Sequence, residues 1–235
     1  MRIVPGNDEK YTMDRVEALP DSPLRGETVL FLGSSVTRGA RSYHDGIPEY
    51  FGKRFGLHVI KEAVSGTTLC DDDEVSYIHR LLHKVDPSAP VQLFFCQLST
   101  NDAAQNKPLG EIAESRDMAA LDTHTVTGAI EFILAYAAQT WNCPVCFFTS
   151  DHFGSDAYDA MVKRLYELQE KWGFGLLDLW NGEAFNTVPE EKYELYMYDP
   201  LHPTKAGYRM WWCPELERQF LAYLGERSRR KDEEI

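Results

Sequence analysis

Thr28-Val29-Leu30-Phe31-Leu32-Gly33-Ser34, running straight into Ser35-Val36-Thr37, is the stretch on which the reading of this chain turns. A β-rich run that is apolar almost throughout, and is broken off by glycine and hydroxyl side chains, reads as a strand covered on both faces. Four more runs of this kind follow: Leu57 to Val64, Val91 to Leu98, Pro144 to Ser150 and Phe174 to Leu179. Between and after them lie segments with helical spacing. Ile130, Ile133, Leu134 and Ala137 form one stripe; Met161, Leu165 and Leu168 form another, with Ser155 as the expected N-cap; the stretch from about Thr204 to Leu224 continues the pattern. Two-sided strands alternating with helices predict a parallel sheet packed between helix layers, a three-layer α/β/α sandwich with five strands.

No repeat, low-complexity tract or linker divides the pattern, so residues 28–225 read as one domain. Residues 1–27, punctuated by Pro5, Gly6, Pro20, Pro23 and Gly26, read as an irregular lead-in. Residues 226–235 read as a charged, solvated tail, in which the basic run Arg227 to Lys231 stands beside Asp232, Glu233 and Glu234. The longest unpatterned connection, Ala103 to about Thr123, is expected to border the functional site.

Composition excludes several classes. The chain has 235 residues, 43% hydrophobic and 26% charged, the profile of a globular protein with a full core. A formal charge of -13 repels a phosphate backbone, so nucleic acid is not an expected partner. Cys70, Cys96, Cys143, Cys146 and Cys213 are an odd set in a chain too large to need staples, which favours reduced thiols. Met1 to Lys10 carries no secretory apolar stretch, and no later run approaches the roughly 18 apolar residues of a membrane span. The expectation is a cytoplasmic protein without membrane contact, of undetermined oligomeric state.

In parallel α/β sheets ligands bind at the carboxyl ends of the strands, and reactive residues stand there. Gly33-Ser34-Ser35-Val36-Thr37 ends the first run, Ser65-Gly66-Thr67-Thr68 the second and Ser99-Thr100-Asn101-Asp102 the third. Before the last helical stretch comes Asp199-Pro200-Leu201-His202-Pro203. A carboxylate three residues ahead of an imidazole, on a proline-stiffened turn, can fix the ring's tautomer and leave its other nitrogen to deprotonate a serine. These residues predict Ser35 as nucleophile, His202 as base and Asp199 as the orienting carboxylate. The N–H groups of Ser35 and Gly66 and the Asn101 amide are the candidate oxyanion donors, Gly66 because its backbone can approach closely. Such an enzyme loses activity as His202 takes up a proton.

The same four blocks resemble the SGNH (GDSL-type) hydrolases, a family of esterases and lipases with a flavodoxin-like sandwich. Gly33 to Thr37 is similar to the family's nucleophile block, Gly66 to its second-block glycine, Ser99 to Asp102 to its Gly-x-Asn-Asp block and Asp199 to His202 to its Asp-x-x-His block. The order agrees from residue 28 to the last helix. Ser34 replaces the usual Asp, Ser99 the usual Gly, and Glu62 stands where an Asn is common. The resemblance implies hydrolysis of small acyl esters, often acetyl groups on sugars, through an acyl-enzyme and without metal or cofactor.

Taken singly, each block has an ordinary reading: Ser35 as a turn residue or helix cap, Asp199-Pro200 as a turn with His202 capping the last helix, Asn101-Asp102 as a turn. Their joint occurrence favours chemistry. Asp71-Asp72-Asp73-Glu74 lacks alternating ligand spacing and reads as a solvated helix start. Cys143-Pro144-Val145-Cys146 runs on into a strand where a redox pair would open a helix. His79 and His83 share a helix face, but no Glu follows His79 as the zinc pattern demands. Gly33 to Gly39 lacks the ending of a phosphate loop, and Thr37 breaks the Gly-x-Ser-x-Gly elbow. Trp141, Trp172, Trp180, Trp211 and Trp212 read as packing residues. Two rivals remain: a carbohydrate-binding protein that has lost turnover, motivated by Ser34 and Ser99, and an acyltransferase using the same residues.

Overall fold

Side chains along a strand point alternately to opposite faces. In the computed structural model, which describes residues 4–233, the two faces of the first strand lead into two separate cores. Val29 and Phe31 join the cluster containing Phe51, Phe95 and Phe220, whereas Leu30 and Leu32 join the one containing Ile130, Met161 and Leu165. A strand buried on both sides has no polar face, which is why the run shows no alternation.

In chain order the elements are β1 (Thr28–Gly33), α1 (Ser35–Arg38), α2 (Ile47–Phe55), β2 (His58–Ala63), α3 (Tyr77–His83), β3 (Val91–Gln97), α4 (Thr100–Ala104), α5 (Val126–Thr140), β4 (Val145–Phe148), α6 (Asp156–Trp172), β5 (Gly175–Leu177), α7 (Glu183–Asn186), α8 (Glu190–Tyr196), β6 (Met197–Asp199), β7 (His202–Pro203), α9 (Lys205–Gly207) and α10 (Cys213–Glu233). The first five strands form one all-parallel sheet in the order β2-β1-β3-β4-β5. Helices α2 and α10 cover one face through Phe51, Phe55, Leu216 and Phe220. Helices α3, α5 and α6 cover the other through Tyr77, Ile78, Ile130, Ile133 and Met161. The result is the expected α/β/α sandwich in the flavodoxin-like strand order, whose switch point lies between β1 and β3.

The ladders are shorter than the apolar runs at the β5 edge, because side chains take over the hydrogen bonds. Thr149 Oγ1 accepts from Leu179 N at 2.8 Å and Trp180 N at 3.0 Å, so β5 stops at Leu177. Among the described residues no helix is long and apolar enough to cross a membrane.

Four expectations need correction. The lead-in is not wholly irregular: it forms three single-turn 3-10 helices, Pro5–Asn7, Glu9–Tyr11 and Met13–Arg15, with residues 1–3 outside the described ones. The charged stretch from residue 226 continues α10 to Glu233, residues 234–235 lying outside the described ones. Helix α3 does not begin in the acidic run. Ser76 caps it, accepting from His79 N at 3.0 Å, while Asp73 closes a local turn by accepting from Val75 N at 2.9 Å. The long connection after Ala103 meets the Asp71-Asp72 segment at both its ends, Lys107 pairing with Asp72 at 2.6 Å and the Thr123 carbonyl accepting from Asp71 N at 2.9 Å. Beyond that it packs on α5 and α6, Gly110 accepting from Arg164 at 2.6 Å and Ala113 N donating to Glu131 at 3.0 Å.

Candidate active site

A polypeptide that leaves β1 must turn at once to enter α1. Gly33 makes this possible, since a Cβ there would collide with the Thr37 hydroxyl and with Gln97. Gln97, the last residue of β3, holds the turn: its Oε1 accepts from Ser34 N at 3.0 Å, Thr37 N at 3.1 Å and the Thr37 hydroxyl at 2.8 Å, and its Nε2 donates to Ser34 Oγ at 3.0 Å. Ser34, at the position where the resembled family has Asp, is thus a fully engaged part of the turn. Ser35 follows as the first residue of α1, 7% exposed.

The strands β6 and β7 form an antiparallel hairpin that pairs Asp199 with His202 across the two-residue turn Pro200-Leu201. Asp199 Oδ1 accepts from Leu201 N and His202 N, both at 3.0 Å, and meets His202 Nδ1 at 2.7 Å. The opposite ring nitrogen, Nε2, lies 2.8 Å from Ser35 Oγ. The three residues therefore form one continuous hydrogen-bonded line, and such a line can pass a hydroxyl proton to the ring. The cap of α9, which leads through a π-helical turn into the last helix, is not His202 but Thr204, accepting from Gly207 N at 3.2 Å. A π-helical turn, Tyr208–Trp212, follows and sends the Tyr208 hydroxyl to the Val36 carbonyl at 2.8 Å, tying the histidine's segment to α1.

Gly66 adopts φ +83, the left-handed region that favours glycine, with open space where a side chain would stand. Asn101 sits in the first turn of α4 and donates from Nδ2 to the Thr67 carbonyl at 2.9 Å, which fastens the Gly66 loop to the end of β3. Ser99 Oγ reaches the same carbonyl at 3.2 Å and accepts from Asn101 N at 3.1 Å. Asp102, fully buried, takes Leu69 N at 2.8 Å and Cys70 N at 3.1 Å. Burial pushes its carboxyl up, and those two amides pull it back.

Around this centre stand groups of mixed character. Arg41 Nε is 3.8 Å from Asp199 Oδ2 and its guanidinium lies 4.8 Å from the centre of the exposed Tyr198 ring. Tyr43 and His44 take φ of 59 and 66, left-handed values held in the loop between α1 and α2. Asp151 follows β4 on the same edge of the sheet, 3% exposed, with Ser150 Oγ at 3.1 Å. Burial pushes its carboxyl up to about 7. The Tyr193 phenol is raised by burial and then by the charges of Asp151 and Asp199.

The other candidates fall elsewhere. All five cysteines are free; Cys146 is buried in β4 and burial pushes the Cys143 thiol up to about 11, an environment unlike that of a redox pair. His79 and His83 have ring centroids 4.3 Å apart, and among the described residues no group of three or more His, Cys, Asp or Glu is placed to hold a metal ion. Asp72 binds Lys107 and His124, Lys107 first, and these hydrogen bonds lower its carboxyl.

Two residues of the site escaped the sequence reading. Gln97 is the polar residue at the end of the apolar run Val91 to Leu98, and Arg80 shares the buried face of α3 with Tyr77, Ile78 and Leu81. A polar side chain on an apolar face is the signal that could have found both.

The family model described as GDSL-like Lipase/Acylhydrolase matches residues 31–210. No curated protein matches the chain. Among solved structures, a protein from Lactobacillus plantarum is 18% identical with a TM-score of 0.67, covering 86% of this chain and 98% of its own. A protein described as a GDSL-like lipase from Bacteroides ovatus ATCC 8483 is 14% identical with a TM-score of 0.60, covering 86% and 99%. One described as an arylesterase from Agrobacterium tumefaciens str. C58 is 15% identical with a TM-score of 0.56, covering 85% and 99%. At these identities the structures speak for the fold alone.

Proposed function

The chain belongs to the GDSL-like lipase/acylhydrolase family, and from that premise we propose that it is a serine esterase acting on small acyl esters, acetyl groups on carbohydrates among them. The observation that carries the reading is the line from Asp199 through His202 to Ser35, at 2.7 and 2.8 Å, lying where the sheet's strand order reverses.

In this reading Ser35 Oγ attacks the ester carbonyl while His202 Nε2 takes its proton. Asp199 holds the ring by Nδ1 and steadies the imidazolium. The negative oxygen of the tetrahedral intermediate is received by the N–H groups of Ser35 and Gly66 and by the Asn101 amide, whose Nδ2 has a second hydrogen besides the one given to Thr67. His202 then protonates the leaving alcohol, and water repeats the sequence on the acyl-enzyme. Five free cysteines support a reducing, cytoplasmic setting.

The test is intact mass after incubation with a fluorophosphonate, together with hydrolysis of acetyl esters. A single adduct on the wild type, mapped to Ser35 and lost in Ser35→Ala, is the expected outcome. No adduct on folded wild type sinks the esterase reading and brings forward a binding protein without turnover. Ester consumption with product appearing on an added alcohol selects the acyltransferase reading.

A further inference from the structure

We propose that Arg80 is a positioning residue for this reaction, a buried clamp that sets the Ser35 turn against the Gly66 loop; the inference rests on the esterase reading. A guanidinium has five N–H groups in a fixed planar fork. Here each finds an acceptor. Nε donates to the Val75 carbonyl at 2.9 Å, Nη1 to the Glu62 carbonyl at 3.1 Å and to Glu62 Oε1 at 3.0 Å, and Nη2 to the Gly33 carbonyl at 2.9 Å and the Thr67 hydroxyl at 3.1 Å.

The acceptors belong to four different pieces of chain. Gly33 ends β1 two residues before the nucleophile, Glu62 lies near the end of β2, Thr67 follows Gly66, and Val75 leads into α3. One planar group thus fixes the distance between the segment that supplies the attacking oxygen and the segment that supplies an oxyanion donor. The β1–β2 ladder, which pairs Gly33 with Ala63, and the bond from Val64 N to the Gly33 carbonyl at 3.3 Å supplement it. From the other side Asn101 and Ser99 hold the Thr67 carbonyl, so the loop is gripped between the β3 end and Arg80.

Arg80 is 2% exposed, and a buried cation needs a counter-charge. Glu62 provides it, with the Tyr77 ring lying 5.2 Å from the guanidinium carbon. The Glu found where the resembled family commonly has Asn is thereby explained as the partner of this arginine. Lysine cannot replace the clamp, because three donors on one nitrogen cannot span acceptors set around a planar fork.

The experiment compares Arg80→Lys, Thr67→Val and Thr67→Ser with wild type, using steady-state ester hydrolysis, the rate of phosphonate labelling at Ser35 and thermal melts. Glu131→Gln, in the distant contact between α5 and α6, serves as a destabilised control. Misplacing reacting groups by about an ångström costs up to roughly a hundredfold in rate. The expected result is a fall in kcat of roughly tenfold or more with KM changed far less for Thr67→Val, and near recovery in Thr67→Ser, which keeps the hydroxyl. Arg80→Lys behaves like Thr67→Val or worse, while Glu131→Gln loses stability and keeps kcat. If Thr67→Val is folded and keeps wild-type kcat and labelling rate, the clamp is refuted even should Arg80→Lys fail to fold. Equal loss of kcat in Glu131→Gln refutes it too, since instability alone would then account for the effect. Failure of the esterase reading looks different: wild type itself neither labels nor hydrolyses, and the positioning claim falls with it.

Discussion

The ion pairs of Arg80 with Glu62 and of Glu131 with Lys171 each hold one buried charge, and they do different things. On the active-site side Arg80 spreads five hydrogen bonds over segments that carry Ser35 and Gly66. On the far side Glu131, fully buried in α5, gathers Lys171, the Trp172 indole at 3.0 Å and Ala113 N at 3.0 Å, fastening the long connection to α6. Each pair buries a charge against one partner, an arrangement that is weak evidence for stability by itself. What differs is the chain each one holds: the turns that carry Ser35 and Gly66 in the first case, the long connection after α4 in the second.

The comparison can be broken most sharply at Asn101, which shares the Thr67 anchor with the Arg80 side. Asn101→Ala is expected to lower kcat by roughly a hundredfold to a thousandfold, the usual cost of an oxyanion donor, with the melting temperature little changed. A rise in KM with kcat unchanged would take Asn101 out of the oxyanion site. Next in size, Glu131→Gln leaves Lys171 without its counter-charge and is expected to cost roughly 3 kcal/mol of stability in a denaturant titration, with kcat/KM within about twofold of wild type. Lost turnover at intact stability would erase the distinction between the two pairs.

The smallest effect concerns Asp151. Its folded carboxyl holds a proton up to about pH 7, whereas the unfolded one releases it near pH 4, so between these values the folded chain binds the extra proton. The stability that proton contributes is complete below about pH 4 and is lost as the pH rises through about 7. Relative to wild type, Asp151→Asn is therefore expected to gain stability in denaturant titrations as the pH rises from about 4 to 8, with the gap closing only below about pH 4. A gap that does not change with pH would show that Asp151 titrates normally.

Particular residues show what could be read before folding. The Asp199 to His202 contact lies within three positions on a proline turn, so the spacing carried it. The hairpin that frames it did not show, because β7 has only two residues. Ser35 and His202 are 167 positions apart, and only the joint pattern of four blocks brought them together. Arg80 and Gln97 do not stand out in the sequence, because their importance lies in their partners, not in their type. The acidic run has the charge of a helix start but does not open α3, because Ser76, a better N-cap, stands just beyond it.

By itself the sequence determined the layers. Apolar runs without alternation demand cover on both faces, and helical stripes supply it, because periodicity is a short-range property that each segment expresses alone. Tertiary structure decided the strand order β2-β1-β3-β4-β5, the 2.8 Å contact of Ser35 with His202, and the convergence of four segments on Arg80. Hydrogen bonds are directional and fail within fractions of an ångström. Their partners across long stretches of chain are therefore fixed only when the whole sheet has been packed.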